Sequence, residues 1–162
     1  MVGPFGVNFW DYKDTDVYMK GALTLHTLRN TIDNDSVFFD IFKTFYNRHK
    51  YSIVTTQDFI QIVNEKTVTD LNWFFNQYLY SRVCPQLEWV FKNNPATGDN
   101  EFWYKWNNVE SDLHIPVVIK SGSSVYTLYP EKKVRMLNLR TENTLTLNTK
   151  NAYISLKNNK SL

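Results

Sequence analysis

The chain has 162 residues, 43% of them hydrophobic and 16% aromatic, with five glycines and five prolines. That much apolar bulk excludes a disordered chain and suffices for a core without cross-links. The formal net charge is +2, and the longest basic run is only Lys132-Lys133, unlike the dense basic stripe of a nucleic-acid binder.

Up to about Ser81 the apolar spacing is helical. Asp16 can cap a helix starting near Val17, whose positions Tyr18, Ala22, Leu25 and Leu28 fall close to a helical repeat. Asp33 or Asp35 can cap a second helix, in which Val37, Phe38, Ile41, Phe42, Phe45 and Tyr46 form a broad stripe expected to be buried. Thr55-Thr56-Gln57-Asp58 has the form of a helix start with an acid in the first turn, and Phe59, Ile60 and Val63 follow on one face. Thr69 is expected to cap a fourth helix with Leu71, Phe74, Phe75, Tyr78 and Leu79 inward. Pro85 opposes its continuation.

After Pro85 the period changes to two. Leu87, Trp89 and Phe91 alternate with polar residues, as do Phe102, Tyr104 and Trp106, then Ile115, Val117 and Ile119, and later Leu145 and Leu147. Asn93 to Asp99 and Ser121-Gly122-Ser123 have turn chemistry. Short alternating strands at this spacing predict a small antiparallel β-sandwich. The expected class is therefore α+β: a helical bundle over 1–84 and a sandwich over 85–162.

A search for chemistry finds little. The three histidines, His26, His49 and His114, are far apart, with no H-E-x-x-H, C-x-x-C or H-x-H spacing, so no metal site is expected within this chain. There is no G-x-S-x-G elbow and no glycine-rich phosphate loop, since Gly3-Pro4-Phe5-Gly6 contains proline and precedes no basic residue. Cys84 has no neighbouring histidine and reads as a small buried hydrophobe. It is the sole cysteine, which excludes an internal disulfide. No stretch is apolar enough to span a membrane, and the first residues lack the pattern of a signal peptide, so the compartment is left open.

Several passages, taken in order, say more. Val17-Tyr18-Met19-Lys20-Gly21-Ala22, running into Leu25-His26-Thr27-Leu28-Arg29, resembles the Y-x-K-G-A…L-H-x-L-R segment of the aminopeptidase N family of zinc aminopeptidases. Thr55-Thr56-Gln57-Asp58-Phe59 resembles that family's T-T-x-D-F helix start. Leu71, Trp73-Phe74-Phe75, Gln77 and Tyr78-Leu79-Tyr80 resemble its D-L-x-x-F-F-x-Q-W-L-Y helix, and Pro85-Gln86-Leu87-Glu88 its P-x-L-E lead into a β-sandwich.

The resemblance implies that the helices close a thermolysin-like catalytic domain. It also implies that Tyr18 matches the tyrosine whose hydroxyl faces the scissile carbonyl oxygen. Zinc would act in the complete enzyme, on a peptide substrate, with its H-E-x-x-H ligands upstream of these motifs and none in this chain. The segment by itself is then expected to be inactive. Tyr18 can also be read as an ordinary aromatic on a buried helix face, and Gly21 as either a close-packing site or a tolerated blemish.

A non-catalytic module binding peptide, glycan or a partner is the alternative. It is motivated by Phe102-Trp103-Tyr104-Lys105-Trp106, whose alternation sets Trp103 apart from its neighbours. On that pattern Trp103 is either exposed or covered by the helical half.

Overall fold

The computed structural model describes residues 16–95, 97–139 and 145–162. The Gly3-Pro4-Phe5-Gly6 turn lies outside them, as does the side chain of Asp16 with its expected cap. A π-helical turn, Asp16–Lys20, runs without a break into α1, Gly21–Ile32. Next come α2, Asp35–His49, and α3, Thr56–Thr67, then α4, Asn72–Phe75, which is extended by a second π-helical turn, Asn76–Tyr80.

The helix starts follow local hydrogen-bond competition. Thr55 and Asp58 form a capping box, each side chain bonding the other's backbone N–H. At α2 the cap is Asn34, which accepts from Val37 N at 3.1 Å, and neither of the aspartates expected there. Asp33 is committed to ending α1 in the left-handed conformation, φ 49°, and Asp35 has entered α2 and pairs with Arg29. At α4 the cap position is taken by Leu71, without a side-chain cap, and not by the expected Thr69; Asp70 just before it accepts from Asn72 N at 2.8 Å, while the Thr69 hydroxyl donates back to the Thr67 carbonyl.

Helix gives way to strand between Tyr80 and Gln86. The strands are β1 Gln86–Asn93, β2 Asn100–Asn107, β3 Val117–Ser121, β4 Ser124–Leu128, β5 Arg135–Leu139, β6 Leu145–Asn148 and β7 Ser155–Asn158. They form a four-stranded sheet, β5-β2-β1-β7, and a three-stranded sheet, β4-β3-β6. The pairs are antiparallel except β1 with β7, which is parallel, so the expected antiparallel sandwich is mixed at one edge. The exception arises because residues 149–154 carry the chain from one sheet to the other before β7 begins.

One hydrophobic cluster unites the two halves. Leu28, Ile41, Ile60, Val63, Phe74 and Tyr78 from the helices join Leu87, Phe102, Trp106, Ile115, Ile119 and Leu139 from the strand half. Outside this core, the outer face of the four-stranded sheet carries a charge ladder. Glu88 is almost fully buried there, accepting from Lys157 Nζ at 2.8 Å and Asn107 Nδ2 at 3.2 Å, with Lys105 Nζ at 3.5 Å. The hydrogen bond from Lys157 is the main reason its carboxyl titrates below the usual glutamate range.

Candidate functional site

Tyr18 sits in the π-helical turn and is 64% exposed, together with Met19, Ala22 and Leu23 on the following turn. The buried-face alternative for Tyr18 therefore fails among the described residues. A π turn inserts an extra residue into the helical ladder and re-aims the side chains beside it, which is why such turns recur at functional sites. Gly21 comes directly after it. A Cβ placed there would meet nothing within 4 Å, so the described residues give no close-packing reason for the glycine.

The other half of α1 is held tightly. Leu28 is fully buried, and so is Thr27, whose hydroxyl donates to the Leu23 carbonyl at 2.8 Å and accepts from the Tyr153 backbone N–H at 2.8 Å. His26 Nε2 donates to the Lys150 carbonyl at 2.8 Å. Arg29 makes a two-pronged bond to Asp35 at 2.6 and 2.7 Å. The Tyr153 carbonyl in turn accepts from the Tyr78 hydroxyl at 3.0 Å and lies 3.8 Å from Cys84 Sγ. Burial raises the Tyr78 hydroxyl well above its ordinary value and the Cys84 thiol above its own, so both remain protonated donors.

The histidines are not gathered at Tyr18. His49 lies tilted against Phe45, with ring centres 5.3 Å apart, and His114 meets Trp73 edge-on at 5.6 Å. Among the described residues no group of three His, Cys, Asp or Glu side chains could hold a metal ion. Among the described residues no helix is long and apolar enough to cross a membrane.

Trp103 lies opposite the buried Phe102, Tyr104 and Trp106, beside Val90 and Met136 on the outer face of the sheet. It is half-buried, with Lys92 Nζ 5.5 Å from its ring centre and its N–H donating to Glu101 at 2.9 Å. Its neighbours across the sheet, Val90 and Met136, are strand residues on either side.

Sequence reading missed Thr27. A helical threonine is unremarkable on its own, and its partner is a backbone amide 126 residues away.

Comparison with known proteins bears on the two halves differently. No curated protein matches the chain. Among solved structures, the crystal structure of Legionella pneumophila aminopeptidase A in complex with aspartic acid aligns at a TM-score of 0.70 and 18% identity. The alignment covers 90% of this chain but only 18% of that one, so the chain spans less than a fifth of its solved counterpart and shares its fold over that stretch. Residues 8–78, the helical half with Tyr18, match the family model described as the peptidase family M1 domain. Over that segment the chain is similar to peptidase family M1, the aminopeptidase N family.

Proposed function

We propose that this chain supplies the oxyanion-stabilising tyrosine and the supporting scaffold of a zinc-dependent aminopeptidase that removes N-terminal residues from peptides, and that it is inactive by itself. In this reading residues 1–84 close a thermolysin-like catalytic domain and residues 85–162 form the sandwich that follows. These are units of architecture, since a continuous core joins them. The ligands of the zinc belong to other polypeptide.

The observation that carries the reading is the exposed hydroxyl-bearing ring of Tyr18 on a π turn, inside the family-matched segment. When water adds to a peptide carbonyl, the C=O electron pair moves onto oxygen. A phenol held there donates a hydrogen bond that strengthens as the charge grows, and so stabilises the transition state more than the substrate. Loss of one such donor costs about 3 kcal/mol of barrier, or roughly a hundredfold in rate.

The test is Tyr18→Phe in the complete peptidase. Turnover is expected to fall about a hundredfold or more, with KM and zinc content unchanged. Turnover equal to that of the parent enzyme removes Tyr18 from the chemistry. The alternative, a non-catalytic module binding peptide, glycan or partner, draws on the outward placement of Trp103. It is the weaker reading, because the indole N–H and one side of the ring are already engaged by Glu101 and Lys92.

A further inference from the structure

We propose that the segment linking the two sheets sets the orientation of Tyr18, with Thr27 as the positioning residue. The inference rests on the reading of Tyr18 given above.

Three observations carry it. First, the π turn bearing Tyr18 runs without a break into α1, which is held through its middle by the buried Thr24, Thr27 and Leu28. Second, the Tyr153 peptide is gripped from both sides: its N–H by Thr27 and its carbonyl by Tyr78, a residue of the second π-helical turn. Third, the neighbouring Lys150 carbonyl takes His26, so consecutive residues of α1 are bonded to one short stretch of the strand half.

The lever is quantitative. Thr27 lies nine residues beyond Tyr18, about 13 Å along a helix. A rotation of α1 by about 10° moves an atom about 6 Å from the axis by roughly 1 Å. An error of that size in a reacting geometry is enough to cost up to about a hundredfold in rate. Thr27 is fully buried and touches no substrate-accessible surface, so it acts through α1 and not on the reacting atoms.

The experiment uses Thr27→Val, which keeps the shape and removes the hydroxyl, in the complete peptidase. We expect kcat to fall about tenfold with KM little changed. Thr27→Ser should restore it. Tyr78→Phe, which frees the other side of the same peptide, should reproduce the loss. In a Tyr18→Phe background neither change should lower kcat further, because the group they position is gone.

Amide hydrogen exchange over residues 18–25 gives a readout independent of turnover, and should quicken in Thr27→Val but not in Thr27→Ser. Quickened exchange with a Tyr18→Phe enzyme of full activity would keep the anchor and sink the oxyanion reading. Unchanged exchange, or a Thr27→Val loss that adds fully to that of Tyr18→Phe, overturns the inference.

Discussion

The helices and the strands obey their own hydrophobic patterns to different degrees. Along β2, burial alternates residue by residue, as the sequence alternates. Along the helices the pattern overstates burial: Tyr18 on the π turn, Ala22 on α1 and Tyr46 on α2 sit within apolar stripes yet are exposed. The pleat explains the strand result, because each residue points to one of two faces and only one faces the core. A helical stripe is wider than the strip of surface its neighbours cover, so residues at its margin or beyond the end of its contacts stay outside. The lesson is that alternation locates the buried residues of β2, whereas helical periodicity locates only the face that contains them; β1 departs from the rule, since Glu88 and Val90 on its outer face are buried as well.

Three substitutions sharpen the comparison. The largest effect belongs where the halves share a core. Phe74 is fully buried against Phe75 and Tyr78, with ring centres 5.4 and 4.7 Å away. Phe74→Ala should cost about 3–5 kcal/mol, read by chemical denaturation. A single transition in which helical and strand signals fall together is expected. Loss of helix with the sandwich intact would show that the shared core does not couple them.

A smaller effect is expected at the outer charge ladder. Glu88→Gln leaves Lys105 and Lys157 facing a neutral group and should cost roughly 1–2 kcal/mol at neutral pH, less than a fully enclosed pair because the lysines reach solvent. The sign with pH follows from the lowered pKa. In the folded chain the carboxyl ionises below its unfolded value of about 4.3, so its stabilisation is complete above that value and lost as the pH falls through the folded pKa. Melting curves of the parent and of Glu88→Gln should therefore converge at low pH. A constant gap would mean that the charge contributes nothing.

The smallest effect has the opposite sign. Gly21→Ala fills open space next to the π turn and should stabilise the isolated chain by about 0.5–1 kcal/mol. A lowered melting temperature would mean that α1 needs the glycine where the described residues give no reason for it.

Much of the fold was legible because local chemistry decides it. The Thr55–Asp58 capping box, the helix-to-strand change before Pro85 and the turn at Gly122, φ 54°, all act over a few residues. The cap of α2 was misread because Asp33, Asn34 and Asp35 are all good caps, and the choice depended on which of them ended α1. β5 and β7 were not read from the sequence. They are edge strands with polar residues such as Asn138, Lys157 and Asn158, and their pairing partners supply what their own pattern lacks. Tyr18 stood out only by resemblance, since one tyrosine on a helix carries no chemical signature. The π turn and the Thr27–Tyr153 bond were out of reach, the first because it is a local slip in the ladder and the second because it joins distant chain.

The parallel pairing of β7 with β1 also has a bearing on how the protein is made. Gln86 is matched with Ser155, and the helix bearing Tyr18 waits for an amide at position 153. Contacts so far apart along the chain are slow to close. As the ribosome delivers the polypeptide from its amino end, the helices can coil early. The first of them gains its bonds to residues 150 and 153 only when that later stretch emerges.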